Sequence, residues 1–139
     1  MARQFDFWQD HSDIFLAMAY LWDRRKAMEQ PDGYGTKTGD CGDTICIYLA
    51  IKNGSISQVN FELEGCLNTS ACCNALAVLV EGKTVEQAWV INPNDIICFL
   101  ETLPIDHHHC AELTAGAFYL ALADYNERKN QKVTPAFPA

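Results

Sequence analysis

The chain has 139 residues, 49% of them hydrophobic, enough for one sizeable core with no second domain expected. A formal net charge of −8 and a pI near 4.8 argue against nucleic acid or an anionic membrane surface as partner, because phosphate binding needs clustered Lys and Arg. The longest apolar runs, around 75–80 and 115–123, are too short to cross a bilayer, and Met1-Ala2-Arg3-Gln4 leads into Asp6 and Asp10 instead of an export signal, so a cytoplasmic location is expected.

From about Asp10 to Met28 the residues Ile14, Phe15, Met18, Leu21 and Trp22 recur with a helical period, with Asp10 or Ser12 to cap the start and Pro31 and Gly33 to stop it. Arg24, Arg25 and Lys26 fall in its last turns, where they complement the helix dipole on a solvated face or offer an acidic partner a docking patch. The Gly-, Thr- and Asp-rich stretch from Pro31 to Gly39 reads as an approach loop to Cys41. Ile45, Ile47, Leu49 and Ile51 then alternate with Cys46, Tyr48 and Ala50, and Val59, Phe61 and Leu63 alternate with polar neighbours, which is the period of two strands. Asn53-Gly54 between them suggests a two-residue turn, but that register would set Leu49 opposite Gln58 and split the apolar set between the two faces. A three-residue loop, Lys52-Asn53-Gly54, keeps the set together. It places Leu49 opposite Ser57, Ile47 opposite Val59, Ile45 opposite Phe61 and, by continuation, Asp43 opposite Leu63 and Cys41 opposite Gly65. Opposed residues of an antiparallel pair lie roughly 5 Å apart. The hairpin over 44–63 therefore carries Cys41, Asp43 and Cys66 to one rim.

After Cys66, Asn68 or Thr69 can cap a helix to about Glu81, with Ala71, Ala75, Leu76 and Leu79 buried and Gly82 just past the end. A thiol at that position meets unpaired amides and the positive end of the dipole, both of which favour the thiolate. Thr84-Val85-Glu86-Gln87 has capping-box spacing and opens a short helix to about Val90, and Pro93-Asn94 opens another that ends near Thr102. Leu103-Pro104 is a break. The final helix begins around His109 to Ala111 and runs to about Arg128, with Leu113, Ala117, Leu120 and Ala121 as its core stripe. The segment 130–139, with Pro135 and Pro138, is expected to be a flexible tail, leaving one domain over 1–129.

Seven cysteines, an odd number, in a chain with no export signal point to reduced thiols and metal or sulfur chemistry instead of a disulfide framework. Cys41, Cys66 and Cys110 lie in loops or at element ends. Cys46 sits mid-strand, Cys72 and Cys73 mid-helix and Cys98 in a short apolar helix, where cysteine behaves as a small buried hydrophobe. His107-His108-His109-Cys110 adds imidazoles at the start of the last helix, and at most two of three neighbouring side chains can point at one site. Three thiolates with one Asp or His make a tetrahedral set that suits zinc and a sulfide-bridged iron pair about equally.

Five segments, Cys41-Gly42-Asp43, Gly65-Cys66, Glu81 to Ala88, His109-Cys110 and Ala121 to Tyr125, resemble in order and spacing the IscU/NifU-like iron-sulfur cluster assembly scaffold family. The resemblance covers roughly Ile14 to Arg128. It implies an α+β fold, with a small antiparallel sheet, three-stranded, packed against an N-terminal helix and several C-terminal helices. It also implies a scaffold and not an enzyme: sulfur from a cysteine desulfurase and iron are built into a transient 2Fe-2S cluster that passes to acceptor apoproteins. Cys41, Cys66 and Cys110 fall on the family's three cysteines, Asp43 on its motif aspartate and His109 on the histidine beside the third cysteine. On that basis His109→Ala should weaken metal retention more than His107→Ala. Leu103-Pro104-Ile105-Asp106-His107 departs from the Leu-Pro-Pro-Val-Lys stretch gripped by a dedicated Hsp70-type chaperone, which puts chaperone-assisted release in doubt. The usual Asn-Pro-Arg-Asn segment is replaced by Glu29-Gln30-Pro31-Asp32, Leu67 stands where a second glycine is usual, and Cys72-Cys73 stands where small hydroxyl residues are usual. Two other readings compete. One is a zinc-dependent sulfur acceptor of the SufU kind, whose large insertion before the third cysteine this chain lacks; the other is a structural zinc module, which leaves Asp43 beside Cys41 unexplained.

Overall fold

The computed structural model describes residues 10–133, with side chains up to 130. Helix α1 (Asp13–Ala19) opens on Ser12, whose hydroxyl accepts the Phe15 amide at 3.1 Å. It is much shorter than the helix expected to run to Met28. The buried Asn74 is the reason: its side-chain amide donates to the carbonyls of Met18 and Leu21 at 2.8 and 3.0 Å, and takes the chain off its helical path. The following segment passes along the outer strand of the sheet, where the Phe61 amide donates to the Arg24 carbonyl at 2.9 Å. Arg24 itself pairs with Glu81, its Nε 3.1 Å from Oε2. The basic residues thus do not form a helical face, and Arg24 helps to cover a strand edge that would otherwise offer free backbone groups.

The sheet has three antiparallel strands in the order β1 (Gly33–Thr38), β2 (Thr44–Lys52), β3 (Ser55–Glu64). The third strand expected for the family is β1, formed by the stretch that its Gly and Thr content marked as a loop. Its glycines are there for packing. A Cβ on Gly35 would lie 2.4 Å from the Ala117 carbonyl oxygen and 2.5 Å from the Ala121 amide, both backbone atoms of the last helix.

The hairpin corrects the expected register. Asn53 and Gly54, at φ 55° and 79°, make the two-residue turn that parity had seemed to exclude. A β-bulge restores parity: Ala50 pairs with Gln58 but Ile51 with Ile56, so Ser57 is the extra residue, and its hydroxyl donates to the Ala50 carbonyl at 3.0 Å. Leu49 therefore faces Val59, Ile47 faces Phe61 and Ile45 faces Leu63. The apolar set stays on one face, with Ile45, Ile47, Leu49, Ile56, Val59 and Phe61 all fully buried.

Against that face lie α2 (Leu67–Val80) and α5 (His108–Val133); the one-turn α3 (Val85–Ala88) follows α2 in the chain, and α4 (Pro93–Leu100) packs on α2 and α5. Capping boxes open α3, from Thr84 and Gln87, and α4, from Asn92 and Asp95. In α5 the small residues Ala117 and Ala121 are buried as expected, but Leu120 is 46% exposed, while Phe118 and Leu122 take core positions. The helix continues past Arg128 to Val133, into the segment read as a tail; residues 134–139 lie outside the described residues.

Candidate functional site

Four pieces of chain meet at the end of the hairpin: the β1–β2 turn with Cys41, the start of β2 with Asp43, the start of α2 with Cys66, and the start of α5 with the histidines and Cys110. Cys66 is the residue that caps α2, the place expected for Asn68 or Thr69. Its sulfur therefore faces the first turn of the helix, and Thr69, one turn on, faces back toward it.

Thr69 is the hub. Fully buried, its hydroxyl donates to Asp43 Oδ2 at 3.0 Å, and its oxygen lies 3.7 Å from Cys66 Sγ and 3.6 Å from Cys110 Sγ. Gly65 leaves room for this meeting, since a Cβ there would stand 2.9 Å from Thr69 Oγ1 and 3.0 Å from Asp43 Oδ2. One hydroxyl proton is shared among a carboxylate and two sulfurs, so what happens at any of the three is felt by the others. Burial alone would raise the Cys66 thiol, but hydrogen bonds from the Thr69 amide and hydroxyl and from Asn68 outweigh it and hold the thiol below its ordinary value. Cys110 is the opposite case: burial pushes its thiol up to about 11, against the pull of the Thr69 hydroxyl and with the help of negative charge at Cys66, Asp43 and Cys41.

The three histidines divide as their spacing allows. His108 turns away, its Nε2 3.2 Å from the Leu103 carbonyl. His107 and His109 flank Cys110, with Nδ1 and Nε2 respectively 3.9 and 3.7 Å from its sulfur, and their rings 5.8 Å apart. Donor atoms of Cys66, His107 and Cys110 all lie within 4.8 Å of one another. Cys41 and the exposed His109 are not in that set; they line a neighbouring cleft of about 640 Å³ with Lys37, Thr38, Asp40 and Glu112. Of the residues proposed from sequence, Asp43, Cys66 and Cys110 are thus gathered tightly, His109 reaches the Cys110 sulfur at 3.7 Å from the exposed side, and Cys41 stands in the open cleft.

Two participants escaped the sequence reading. Sequence spacing offers Thr69 only as a cap, and with the cap at Cys66 it falls on the cysteine's own face of the helix. His107 stands three residues before Cys110, a helical neighbour spacing, and its Nδ1 comes within 3.9 Å of the sulfur beside the adjacent His109 at 3.7 Å. The other cysteines lie elsewhere. Cys72 and Cys73 are buried, with burial raising the first thiol well above its ordinary value and the second to about 12. Cys46 is half-buried beside Thr36 on the outer face of the sheet, and Cys98, expected to be buried, is exposed. No disulfide joins any of the seven.

The raised Cys110 thiol has a measurable result. At neutral pH it carries its proton, which a thiolate-seeking metal has to displace. Zinc binding in weakly buffered solution is therefore expected to release about one proton or more per metal, and to tighten as the pH is raised. A zinc affinity that stays flat with pH would contradict this.

A three-stranded antiparallel sheet that brings thiols, a carboxylate and imidazoles to one rim, with helices over its other end and one face, defines a class of small α+β proteins with a cysteine-rich edge. Residues 26–132 match the model of the NifU-like N-terminal domain, and the chain belongs to that family. Over 107 residues it is 35% identical to the iron-sulfur cluster assembly scaffold protein IscU 1 of Archaeoglobus fulgidus, which covers 76% of this chain and 69% of the relative. Over 93 residues it is 30% identical to the scaffold protein IscU of Escherichia coli, covering 66% of this chain and 72% of the relative. Among solved structures, an N-terminal NifU-like protein from Brucella abortus matches with a TM-score of 0.69 at 19% identity, over 84% of this chain and 94% of that one. A protein assigned to iron-sulfur cluster assembly for the SUF system of Fervidobacterium islandicum matches with a TM-score of 0.67 at 20% identity, over 84% and 99%. At those identities the likeness speaks for the fold alone.

Proposed function

We propose that this protein is an iron-sulfur cluster assembly scaffold. It accepts persulfide sulfur from a cysteine desulfurase, together with iron and electrons from an external reductant, and holds a transient 2Fe-2S cluster as cargo. Cys41, Cys66 and Cys110 bind it with one of Asp43 or His109, and acceptor apoproteins receive it. This is a carrier's role, not an enzyme's turnover of a small substrate. The observation that carries the reading is the convergence of Asp43, Cys66 and Cys110 on the Thr69 hydroxyl at 3.0, 3.7 and 3.6 Å, beside an open cleft lined by Cys41. Two irons bridged by sulfide need four protein donors, and thiolates suit them best. Zinc fits the same donors when no cluster is held. The zinc-dependent sulfur acceptor is the weaker reading. Between Gly82 and Cys110, where that branch carries its insertion, the chain holds only α3, α4 and a single 3₁₀ turn, Ile105–His107, with short connections.

Asp43 decides between a carrier and a permanent holder. A carboxylate is a harder, weaker partner for sulfide-bridged iron than a thiolate. It is also the group to which Thr69 gives its proton, so Asp43→Ala frees that proton for a cysteine sulfur. The variant is expected to keep its fold and to deliver its cluster to an acceptor apoprotein about 10-fold more slowly, the scale of a single change around a metal. Visible circular dichroism follows the transfer. Delivery at the unmodified rate would remove the main support for a transferable cluster.

A further inference from the structure

We infer that the groove between the end of α2, α3 and α4 is a binding site for a small amphiphilic carboxylate, with the hydrocarbon chain on the groove floor and the anionic head on Lys83 and Gln87. None of these residues belongs to the cysteine-rich rim, and the inference goes beyond cluster assembly and does not rest on it.

The groove stands at the far end of the hairpin from the rim. The Val85 amide donates to the Gly54 carbonyl at 3.0 Å and ties α3 to the β2–β3 turn, whereas Asp43 and Cys66 flank the opposite ends of the two strands. The cavity measures about 490 Å³, inside the range of small-molecule pockets, roughly 300–1,000 Å³. Leu79, Val90, Ile91 and Phe99 make its floor apolar. Val90 is 75% exposed there, so a ligand that covers it removes apolar surface from water, which is favourable.

The polar groups at its edge name the head. The Lys83 backbone is pinned at both ends, its amide donating to the Val80 carbonyl at 3.0 Å and its carbonyl accepting from the Ile56 amide at 2.9 Å, so the side chain starts from a fixed point. Among the described residues no carboxylate forms an ion pair with its ammonium. Gln87 commits its side-chain oxygen to the Thr84 amide at 3.0 Å in the capping box, which leaves its NH2 group to donate. Asp95 also lines the groove but is engaged elsewhere: its Oδ2 accepts the Asn92 amide at 3.0 Å in the first turn of α4, where the helix dipole holds its charge. Two donors and an uncompensated positive charge beside an apolar floor suit a carboxylate with a hydrocarbon tail and disfavour an amine of the same length. Cys98 reports on occupancy, because its thiol is exposed within the same lining, and the exposed Cys41 at the rim is an internal control.

The test titrates the full chain with hexanoate, octanoate and decanoate, below the concentrations at which they form micelles, and with decylammonium for comparison; isothermal calorimetry reads binding and far-ultraviolet circular dichroism monitors the fold. Each methylene taken out of water contributes up to about 4-fold in affinity, so decanoate should bind more tightly than octanoate, and octanoate more tightly than hexanoate. Lys83 is exposed and its two hydrogen bonds are made by the backbone, so Lys83→Gln should fold normally. It should weaken decanoate by about 10-fold or more, the scale of a hydrogen bond to a charged group, while Lys83→Arg keeps the charge and should bind as the unmodified protein does. Bound decanoate should slow alkylation of Cys98 by iodoacetamide and leave Cys41 as it was, as read by peptide mass spectrometry. Decylammonium binding as tightly as decanoate, an undiminished Lys83→Gln, equal protection of Cys98 and Cys41, or no saturable binding of decanoate would each overturn the inference.

Discussion

Serine in place of Cys41, Cys66 or Cys110 is expected to take bound iron and sulfide from a full cluster to background after anaerobic reconstitution with iron, sulfide and a desulfurase. Each thiolate removed leaves an iron one donor short, and a serine hydroxyl, neutral at pH 7, does not replace it. The three losses should be of similar size although the sites differ: Cys41 and Cys66 are exposed, and Cys110 is 1% exposed. Cys72→Ser is the control. Cys72 is fully buried and its thiol is raised well above the ordinary value, mainly by burial, so it offers no thiolate to a metal. Iron and sulfide analysis, with visible absorption, reads the outcome. A Cys72→Ser protein without a cluster, alongside a Cys110→Ser protein that keeps one, would refute the assignment.

Gly35→Ala should produce the largest change in stability. The added methyl would come within 2.5 Å of backbone atoms of Ala117 and Ala121, and neither can swing aside as a side chain does. Helix α5 has to move off β1, and overpacking of this kind costs about 3 kcal/mol. For a chain of this size that is a fall in Tm of about 10 °C. Thr36→Ala, on an exposed position of the same strand, should stay within about 0.5 kcal/mol. Equal melting temperatures for the two variants would show that α5 does not rest on the strand as described. Because α5 also carries Cys110, the glycine variant should lose metal affinity as well.

Much of the fold follows from local pattern. Strand period in β2 and β3, the capping boxes of α3 and α4, and the break at Leu103-Pro104 are all properties of neighbouring residues, and each element stands where that pattern puts it. The same holds for three pieces of the rim, because a hairpin brings its own ends together whatever surrounds it. The bulge at Ser57 was hidden for a related reason. Parity showed that one residue had to be absorbed, but a longer turn and a bulge satisfy parity equally, and Asn53 and Gly54 at positive φ choose the bulge.

The sequence alone therefore determined the α+β class, the hairpin, the cysteines at element ends and, through five motifs in register, the family. The tertiary structure decided what depends on contacts between distant residues. Asn74 ends α1 from 53 and 56 residues away along the chain. Gly33 and Gly35 act as strand residues because α5 passes close enough to require them. Thr69 and His107 enter the site because the first turn of α2 and the 3₁₀ turn leading into α5 stand beside Cys66 and Cys110. In each case the local sequence is neutral or points the other way, and burial against a remote element supplies the free energy that local propensity does not.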